Sequence, residues 1–451
     1  MPHSFSESIS CDLNNSCPIL YECIGSICTH KSPYPPSARE IIGSILLIIF
    51  LGMANVGGLG GSFIASPVLM TIFNFDPIVS IRITYCTVLS GAIGNFLINS
   101  CTRRPNSRRP AIDYDAAMLC IPLLVSGSSI GVIANNFLPP LVSLIALILL
   151  CLLALCKCWD KAISEYRKEN FLKNKTKILA LMGIVSNTLQ KETPSDGYKI
   201  DLPSEETSSN DSEDKSKKYP LFPFRRYVQF LLLLLIVVVL LLLRGSKSVK
   251  SIARVEYCGG YYWMIYVFTI AVCFIFGCIA LFILKKEKKL STKANRPEAS
   301  SSKSKEFDVG KHPIWLLIVA FISGIIAGIS GVGGGLILNP VFLSSGMSAT
   351  VATATSGFLI LFTSFISVFQ TAIAGALPLV NSLYFSALSF IGALVIATIL
   401  RFLMKKYKRA SLLLFVLSFV TFVGAIAVSA NTIYRLVTNK SAMVALGKIC
   451  Q

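Results

Sequence analysis

The chain has 451 residues, of which 53% are apolar and only 14% are charged, and the charges are confined to a few segments between long apolar runs. Many of these runs reach about 18 residues or more, the length that spans a bilayer, which excludes a single soluble core and predicts an integral membrane protein. The net charge of +19 indicates orientation in a membrane rather than a nucleic-acid partner, because basic residues collect in the loops of multi-pass proteins.

The first 40 residues form a polar head with four cysteines, Cys11, Cys17, Cys23 and Cys28. Their spacing lacks the CxxC pairs usual in zinc sites, so it favours disulfides in an oxidising compartment. A reduced, unpaired cytosolic tail is the alternative. No cleavable signal peptide is visible, because the chain is polar up to the first apolar stretch at Ile41.

The apolar runs divide the rest of the chain. In order, we expect a first transmembrane repeat (41–156), a polar, disordered cytosolic loop (157–226), two additional transmembrane helices (227–284), a basic cytosolic loop (285–312), a second transmembrane repeat (313–430) and a C-terminal tail (431–451). The first segment of each repeat, 41–73 and 313–345, is interrupted by glycines. Eight other segments are predicted to cross the membrane fully.

The two glycine-interrupted segments resemble each other. "GLGGSFIASPVLM", which begins at Gly58, matches "GVGGGLILNPVFL", which begins at Gly331, at six of thirteen positions without a gap. A Ser/Thr-containing helix follows each of them. This pattern indicates an internal duplication, which is common in transporter folds.

The basic loops predict the orientation of these repeats. "CTRRPNSRRP" (101–110), "KKEKK" (from 285) and "RFLMKKYKR" (401–409) are expected on the cytosolic side. With the head outside, 41–73 would enter and leave on the outer side, and 313–345 would do so on the inner side. The sequence therefore predicts an all-α fold of two inverted repeats with re-entrant hairpins. The alternative is that each segment is one broken crossing, with the head inside.

The glycines are candidates for a substrate site. We expect turns near the bilayer midplane at Gly58, Gly60, Gly61, Gly333, Gly334 and Gly335. A helix that restarts after such a turn directs unpaired amides and the positive end of its dipole at the protein centre, which favours an anion. Glycines also permit close helix packing, but their repetition together with Pro67 and Pro340 favours a site.

Polar side chains follow the turns. Thr84 and Ser356 occupy equivalent positions in the two repeats and are candidate hydrogen-bond donors to a partly dehydrated oxyanion. Arg82 could bind such an anion bidentately, or its side chain could instead extend to the membrane interface. For Asn95 and Gln370 we expect interhelical hydrogen bonds rather than ligand contacts.

Acidic residues are missing from the interior of every apolar run, and all three histidines lie outside these runs. Cation sites and side-chain proton relays usually need such groups, so the sequence favours an anionic or neutral substrate. It offers no Walker A loop, no metal-ligand cluster and no Ser/His/Asp set. We expect no enzyme activity and no cofactor.

The repeated "GxGG…P" pattern resembles the sulfite exporter TauE/SafE family. The stretches that carry the resemblance are "GGLGGSFIASPVLM", "GISGVGGGLILNPVFLSSGMSATVATATS" and "RGSKSVKSIARVEYCGGYYW". The first repeat departs from the family pattern at Ser62, where a further glycine is common, and at Arg82. The resemblance implies export or exchange of small anions, such as sulfite or organosulfonates.

These observations together predict a multi-pass transporter of small inorganic or organic anions, which works by alternating access in a plasma membrane or endomembrane. Its partners would be the anion and the lipid bilayer, with no nucleic acid. One alternative is an anion channel that uses the same hairpins. Another is a non-transporting receptor or scaffold in which the head and the long cytosolic loop carry the function.

Overall fold

The structure is a computed structural model that describes residues 20–24, 27–31, 36–104, 109–192, 224–246, 251, 255–293, 313–407 and 411–438. Cys11 and Cys17 lie outside these residues. The described part contains, in chain order, β1 (Tyr21–Ile24), β2 (Ile27–His30), α1 (Ala38–Val56), α2 (Ser62–Thr71), α3 (Pro77–Ser100), α4 (Tyr114–Asn135), α5 (Pro140–Glu192), α6 (Phe224–Arg244), α7 (Gly260–Lys293), α8 (Pro313–Ser330), α9 (Gly335–Ser344), α10 (Ala349–Ile373), α11 (Leu379–Tyr407) and α12 (Ser411–Thr438).

Ten of the described helices are long and apolar enough to span a membrane, which confirms a helical multi-pass integral membrane protein. They are α1, α3, α4, α5, α6, α7, α8, α10, α11 and α12. Eight coincide with the expected full crossings, and α1 and α8 are the first arms of the two glycine-interrupted segments. The second arms, α2 and α9, have 10 residues each, or about 15 Å, which is half of a bilayer core.

Helices α1 and α2 form an antiparallel hairpin. A capping box between Ser37 and Glu40 fixes the start of α1. Near that start, a Cβ on Gly43 would lie 2.7 Å from Ile72 Cγ2, just past the end of α2. The Arg39 guanidinium donates to the Thr71 carbonyl oxygen. Because the two ends of the segment meet, these contacts favour a re-entrant hairpin over a single broken crossing.

The long arm of each glycine-interrupted segment packs on a helix of the other repeat through facing glycines. A Cβ on Gly52 of α1 would lie 2.4 Å from the Gly392 carbonyl oxygen of α11. A Cβ on Gly131 of α4 would lie 2.1 Å from the Ile325 carbonyl oxygen of α8. Such contacts between small residues let helix backbones approach closely in a membrane. The two repeats therefore share one packed interior.

The head packs on the turn between α2 and α3. His30 Nε2 donates to the Phe73 carbonyl oxygen at 2.7 Å, and its ring stacks on Phe75 at 3.9 Å. Tyr21 donates to the Asn74 carbonyl oxygen at 3.2 Å. Burial raises the pKa of Tyr21 to about 12, and nearby Asp76 adds to that rise. The head and this turn therefore lie on one face of the protein, which we call the head face.

Disulfide bonds occur at two described cysteines. Cys23, one of the four predicted cysteines, is disulfide-bonded, and so is Cys258, which precedes α7 and was not predicted. Cys28 lies opposite Cys23 in the β1–β2 hairpin. Disulfides persist in oxidising compartments, so these bonds favour an extracytosolic head and α6–α7 connection.

The predicted disordered loop at 157–226 is wrong in its first half, because α5 continues to Glu192. Polarity alone suggested a loop, but the extension packs on α12. Trp159 lies with its ring 6.2 Å from that of Phe415, and Glu169 accepts a hydrogen bond from the Ser411 amide at 2.9 Å. Residues 193–223 lie outside the described part. Helices also continue past two other predicted boundaries, to Lys293 and to Thr438.

Candidate functional site: two packed helix breaks

The chain leaves helical geometry at two equivalent places, the first break (residues 57–61) and the second break (residues 331–334). Gly58 has φ of 68° and Gly331 has φ of 70°. These angles lie in the left-handed region, which side chains other than glycine rarely adopt. Gly58 and Gly331 therefore share a left-handed backbone geometry, as do Gly60 and Gly333, whereas Gly61 is left-handed and its counterpart Gly334 is right-handed.

Each break packs against the hydroxyl-bearing helix of the other repeat. A Cβ on Gly58 would lie 2.3 Å from Ser356 Oγ, and a Cβ on Gly331 would lie 2.8 Å from Thr84 Oγ1. The Thr84 and Ser356 side chains are fully buried. The structure thus brings together the two hydroxyls and the two turns in a reciprocal arrangement.

The two breaks also touch each other directly. A Cβ on Gly335 would lie 2.3 Å from the Gly58 carbonyl oxygen, and a Cβ on Gly60 would lie 2.9 Å from the Val332 carbonyl oxygen. Asn339 of α9 donates from Nδ2 to the Gly57 carbonyl oxygen at 2.7 Å. The backbones of the two breaks are therefore in contact in the protein interior.

The remaining predicted glycines flank this contact. Gly61 precedes α2 and lies against Leu51 of α1, and Gly333 lies against Ile360 of α10. Gly334 precedes α9, and its carbonyl oxygen accepts a hydrogen bond from Ser323 Oγ at 2.8 Å. All the predicted glycines thus lie at or beside the two breaks.

Unpaired donors collect at the breaks. The backbone amides of Gly60, Gly61, Gly333 and Gly334 donate no hydrogen bond to any residue that the structure describes. The hydroxyls of Ser62 and Ser330 are buried and likewise lack a partner in the described part of the chain. Buried polar groups are normally paired, so this concentration of donors is suited to a polar ligand. Sequence reasoning noted Ser62 only as a departure from a family pattern and missed Ser330, although each directly adjoins a break.

The predicted hydroxyls currently bond to their own helices. Thr84 Oγ1 donates to the Ile81 carbonyl oxygen at 2.7 Å, and Ser356 Oγ donates to the Thr353 carbonyl oxygen at 3.2 Å. Such bonds to the preceding turn are common for Ser and Thr in helices. Rotation about χ1 would free either hydroxyl to donate to a ligand at the neighbouring break.

Arg82 lies apart from the breaks. It lines a separate cavity near the head face, and Arg82 Nη1 lies 3.4 Å from the Ala376 carbonyl oxygen. None of the break glycines lines that cavity. Asn95 makes the expected interhelical hydrogen bond, from Nδ2 to the Asn55 carbonyl oxygen at 2.8 Å. Gln370, for which such a bond was also expected, has no side-chain partner among the described residues.

Among the residues that the structure describes, no group of three or more His, Cys, Asp or Glu side chains is placed to hold a metal ion. The site consists of backbone amides, hydroxyls and apolar side chains. Together, the ten candidate spans define a multi-pass membrane protein, and paired breaks in membrane helices are common in transporter folds.

The chain is similar to one family of known proteins. Residues 224–427 match the family model described as Sulfite exporter TauE/SafE. The chain is 28% identical over 398 residues to Sulfite exporter TauE/SafE family protein 3 of Arabidopsis thaliana, which covers 88% of this chain and 79% of that protein. Family protein 1 of the same plant is 23% identical over 405 residues, covering 89% and 85% of the two chains.

The chain is therefore similar to sulfite exporter TauE/SafE family proteins over most of its length, and it is a multi-pass membrane protein. No solved structure gives a significant match. The second glycine-interrupted segment lies inside the region that matches the family model, and the first lies outside it.

Proposed function

We propose that the protein carries a small oxyanion across the membrane by alternating access, with the anion bound between the first and second breaks. The reciprocal packing of Gly58 on Ser356 and of Gly331 on Thr84 carries this proposal. The names of the Arabidopsis relatives suggest sulfite as the first anion to test.

The unpaired donors account for the preference for an anion. The amides that open α2 and α9 carry the positive end of each helix dipole, and successive glycine amides form a concave anion-binding surface. Ser62 and Ser330 add hydroxyl donors. In a site without water these donors replace the hydration shell of the anion.

The burial of the site supports alternating access. The first break belongs to a hairpin that enters from the head face, and the second belongs to the equivalent segment of the other repeat. Motion of one hairpin relative to the other would open the contact between Gly58 and Gly335 toward one side at a time. The Asn339–Gly57 hydrogen bond holds the two breaks together in the present conformation.

Flux measurements on liposomes test this proposal. Purified protein in liposomes is expected to take up labelled sulfite with saturable kinetics, and unlabelled sulfite inside should accelerate uptake by exchange. Non-saturating flux with single-channel currents would indicate a channel. Liposomes that take up neither sulfite nor sulfate faster than protein-free liposomes would contradict anion transport.

A further inference from the structure

A cavity of about 70 Å³ lies where α3 begins, where α4, α6 and α10 end, and beside the start of α7. A single water needs about 10–15 Å³ on the same measure, so several waters or one small oxyanion would fit. Its lining includes two arginines, Arg82 and Arg244, and no acidic residue. Arg244 opens the "RGSKSVKS" stretch, which has no Asp or Glu and which the transport proposal does not use.

Arg244 is a buried cation without a counter-charge in the described structure. Only 8% of the residue is exposed, and its guanidinium carbon lies 5.0 Å from the centre of the Tyr262 ring and 5.2 Å from that of Tyr266. Its Nε and Nη1 atoms have no hydrogen-bond partner among the described residues, and no described carboxylate lies within 4.0 Å. Aromatic rings stabilise a cation only in part, and a buried charge without a partner is strongly unfavourable.

Gln370 adds a second buried and unpartnered polar group to the same cavity. It is 6% exposed, and neither its Oε1 nor its Nε2 atom has a hydrogen-bond partner in the described part of the chain. Arg82 contributes the second positive charge, and its hydrogen bond to Ala376 is long at 3.4 Å. Three side chains with spare donors therefore line one small space.

We propose that this arginine cavity, defined by Arg82, Arg244 and Gln370, binds a small divalent oxyanion such as sulfate at a site separate from the helix breaks. Two guanidinium groups match the charge and the several oxygens of a divalent oxyanion better than they match a single halide ion. The Gln370 amide supplies a further donor. The anion provides the counter-charge that Arg244 lacks.

The position of the cavity determines which side supplies the anion. Tyr257, which lines it, adjoins the disulfide-bonded Cys258. The start of α3, which carries Arg82, follows the turn on which the head packs. The cavity therefore lies at the head face, which we expect on the extracytosolic side because disulfides persist in oxidising compartments.

Direct binding of labelled sulfate to the full-length protein in detergent tests the proposal. Wild type should bind saturably, and a tenfold excess of chloride should compete weakly. Arg244→Gln and Gln370→Glu should each weaken binding by tenfold or more, because the first removes a charge and the second places a carboxylate beside Arg244. Arg39→Gln, which removes an exposed positive charge at the same face, should bind like wild type.

Sulfate binding by variants distinguishes the arginine cavity from the proposed anion site between the two breaks. Ser356→Ala, at the second repeat's hydroxyl, should retain sulfate binding whatever its effect on flux. Wild-type affinity in folded Arg244→Gln and Gln370→Glu proteins, or no saturable sulfate binding by wild type, would overturn the arginine cavity as an anion site. Sulfate binding that these two changes abolish would support it even if liposomes showed no sulfite flux.

Discussion

Gly58 lies against Ser356 so closely that a single added carbon on Gly58 would come within 2.3 Å of the Ser356 hydroxyl oxygen. In the equivalent pair, a carbon added to Gly331 would come within 2.8 Å of the Thr84 hydroxyl oxygen. Two separate stretches of sequence thus converge on one buried contact. Since each hydroxyl lies against a break that also contains unpaired amides, this contact is the structural basis of the proposed anion site.

Removing either hydroxyl should reduce transport without unfolding the protein. Ser356→Ala and Thr84→Val each delete a donor that can rotate toward a break, so we expect sulfite flux to fall by about tenfold, as for loss of one hydrogen bond to a charged group. Thr84→Ser keeps the hydroxyl and should retain most of the flux. Uptake into liposomes measures this effect, and wild-type flux in both deletions would argue against hydroxyl participation.

The hydrogen bond from Asn339 to Gly57 should stabilise the contact between the breaks. Asn339→Leu leaves the Gly57 carbonyl oxygen buried without a partner, which costs about 1–3 kcal/mol. We expect a lower thermal unfolding midpoint in detergent. Ser344→Ala removes an exposed hydroxyl that bonds within the same helix and is the matched control. Equal unfolding midpoints for the two variants would refute a stabilising role for this bond.

Thiol labelling in intact cells should reveal the orientation of the chain. Cys101 is free and exposed at the end of α3, next to a basic loop that the positive-inside rule places in the cytosol. A membrane-impermeant maleimide should reach it only after permeabilisation. A cysteine introduced by Leu379→Cys, beside the Ala376 turn at the head face, should react from outside. The reverse pattern would place the head inside.

The pH dependence of stability should report on Asp76. Burial raises the pKa of its carboxyl group above the ordinary value, although Arg435 and His30 oppose that rise. The pKa of the Asp76 carboxyl group is higher in the folded state than in the unfolded state. The group therefore contributes stability that is fully present below the unfolded-state pKa and is lost as the pH rises through the folded-state pKa. Asp76→Asn should therefore flatten the dependence of the unfolding midpoint as pH rises above the ordinary pKa of Asp, about 3.9. An unchanged slope would contradict this assignment.

The sequence predicted the helical segments well, because a long apolar run has a direct physical cause in the thickness of the bilayer. Thr84 and Ser356 lie against glycines of the opposite repeat, and their role as donors to an anion stays a prediction. The sequence could not place Arg82, because the direction of a side chain depends on how helices pack, and the arginine lines a different cavity.

Other features needed the folded structure. The extension of α5 past residue 157 is stabilised by contacts with Phe415 and Ser411, which are more than 240 residues away in the chain. No local pattern predicts such a pairing. The buried, unpaired state of Arg244 is similarly a property of the packing around it. Whether the repeats are inverted in the membrane remains a prediction.

The most direct test of the central claim is sulfite uptake into liposomes by Gly58→Ala, Gly331→Ala and Gly260→Ala proteins. At the first two positions a side chain would be strained by a positive φ and by contact with the opposite repeat, whereas a Cβ on Gly260 would meet nothing within 4 Å. We predict saturable flux in wild type and Gly260→Ala, and loss of at least tenfold in the other two. Equal flux in all four folded proteins would contradict an anion path between the breaks.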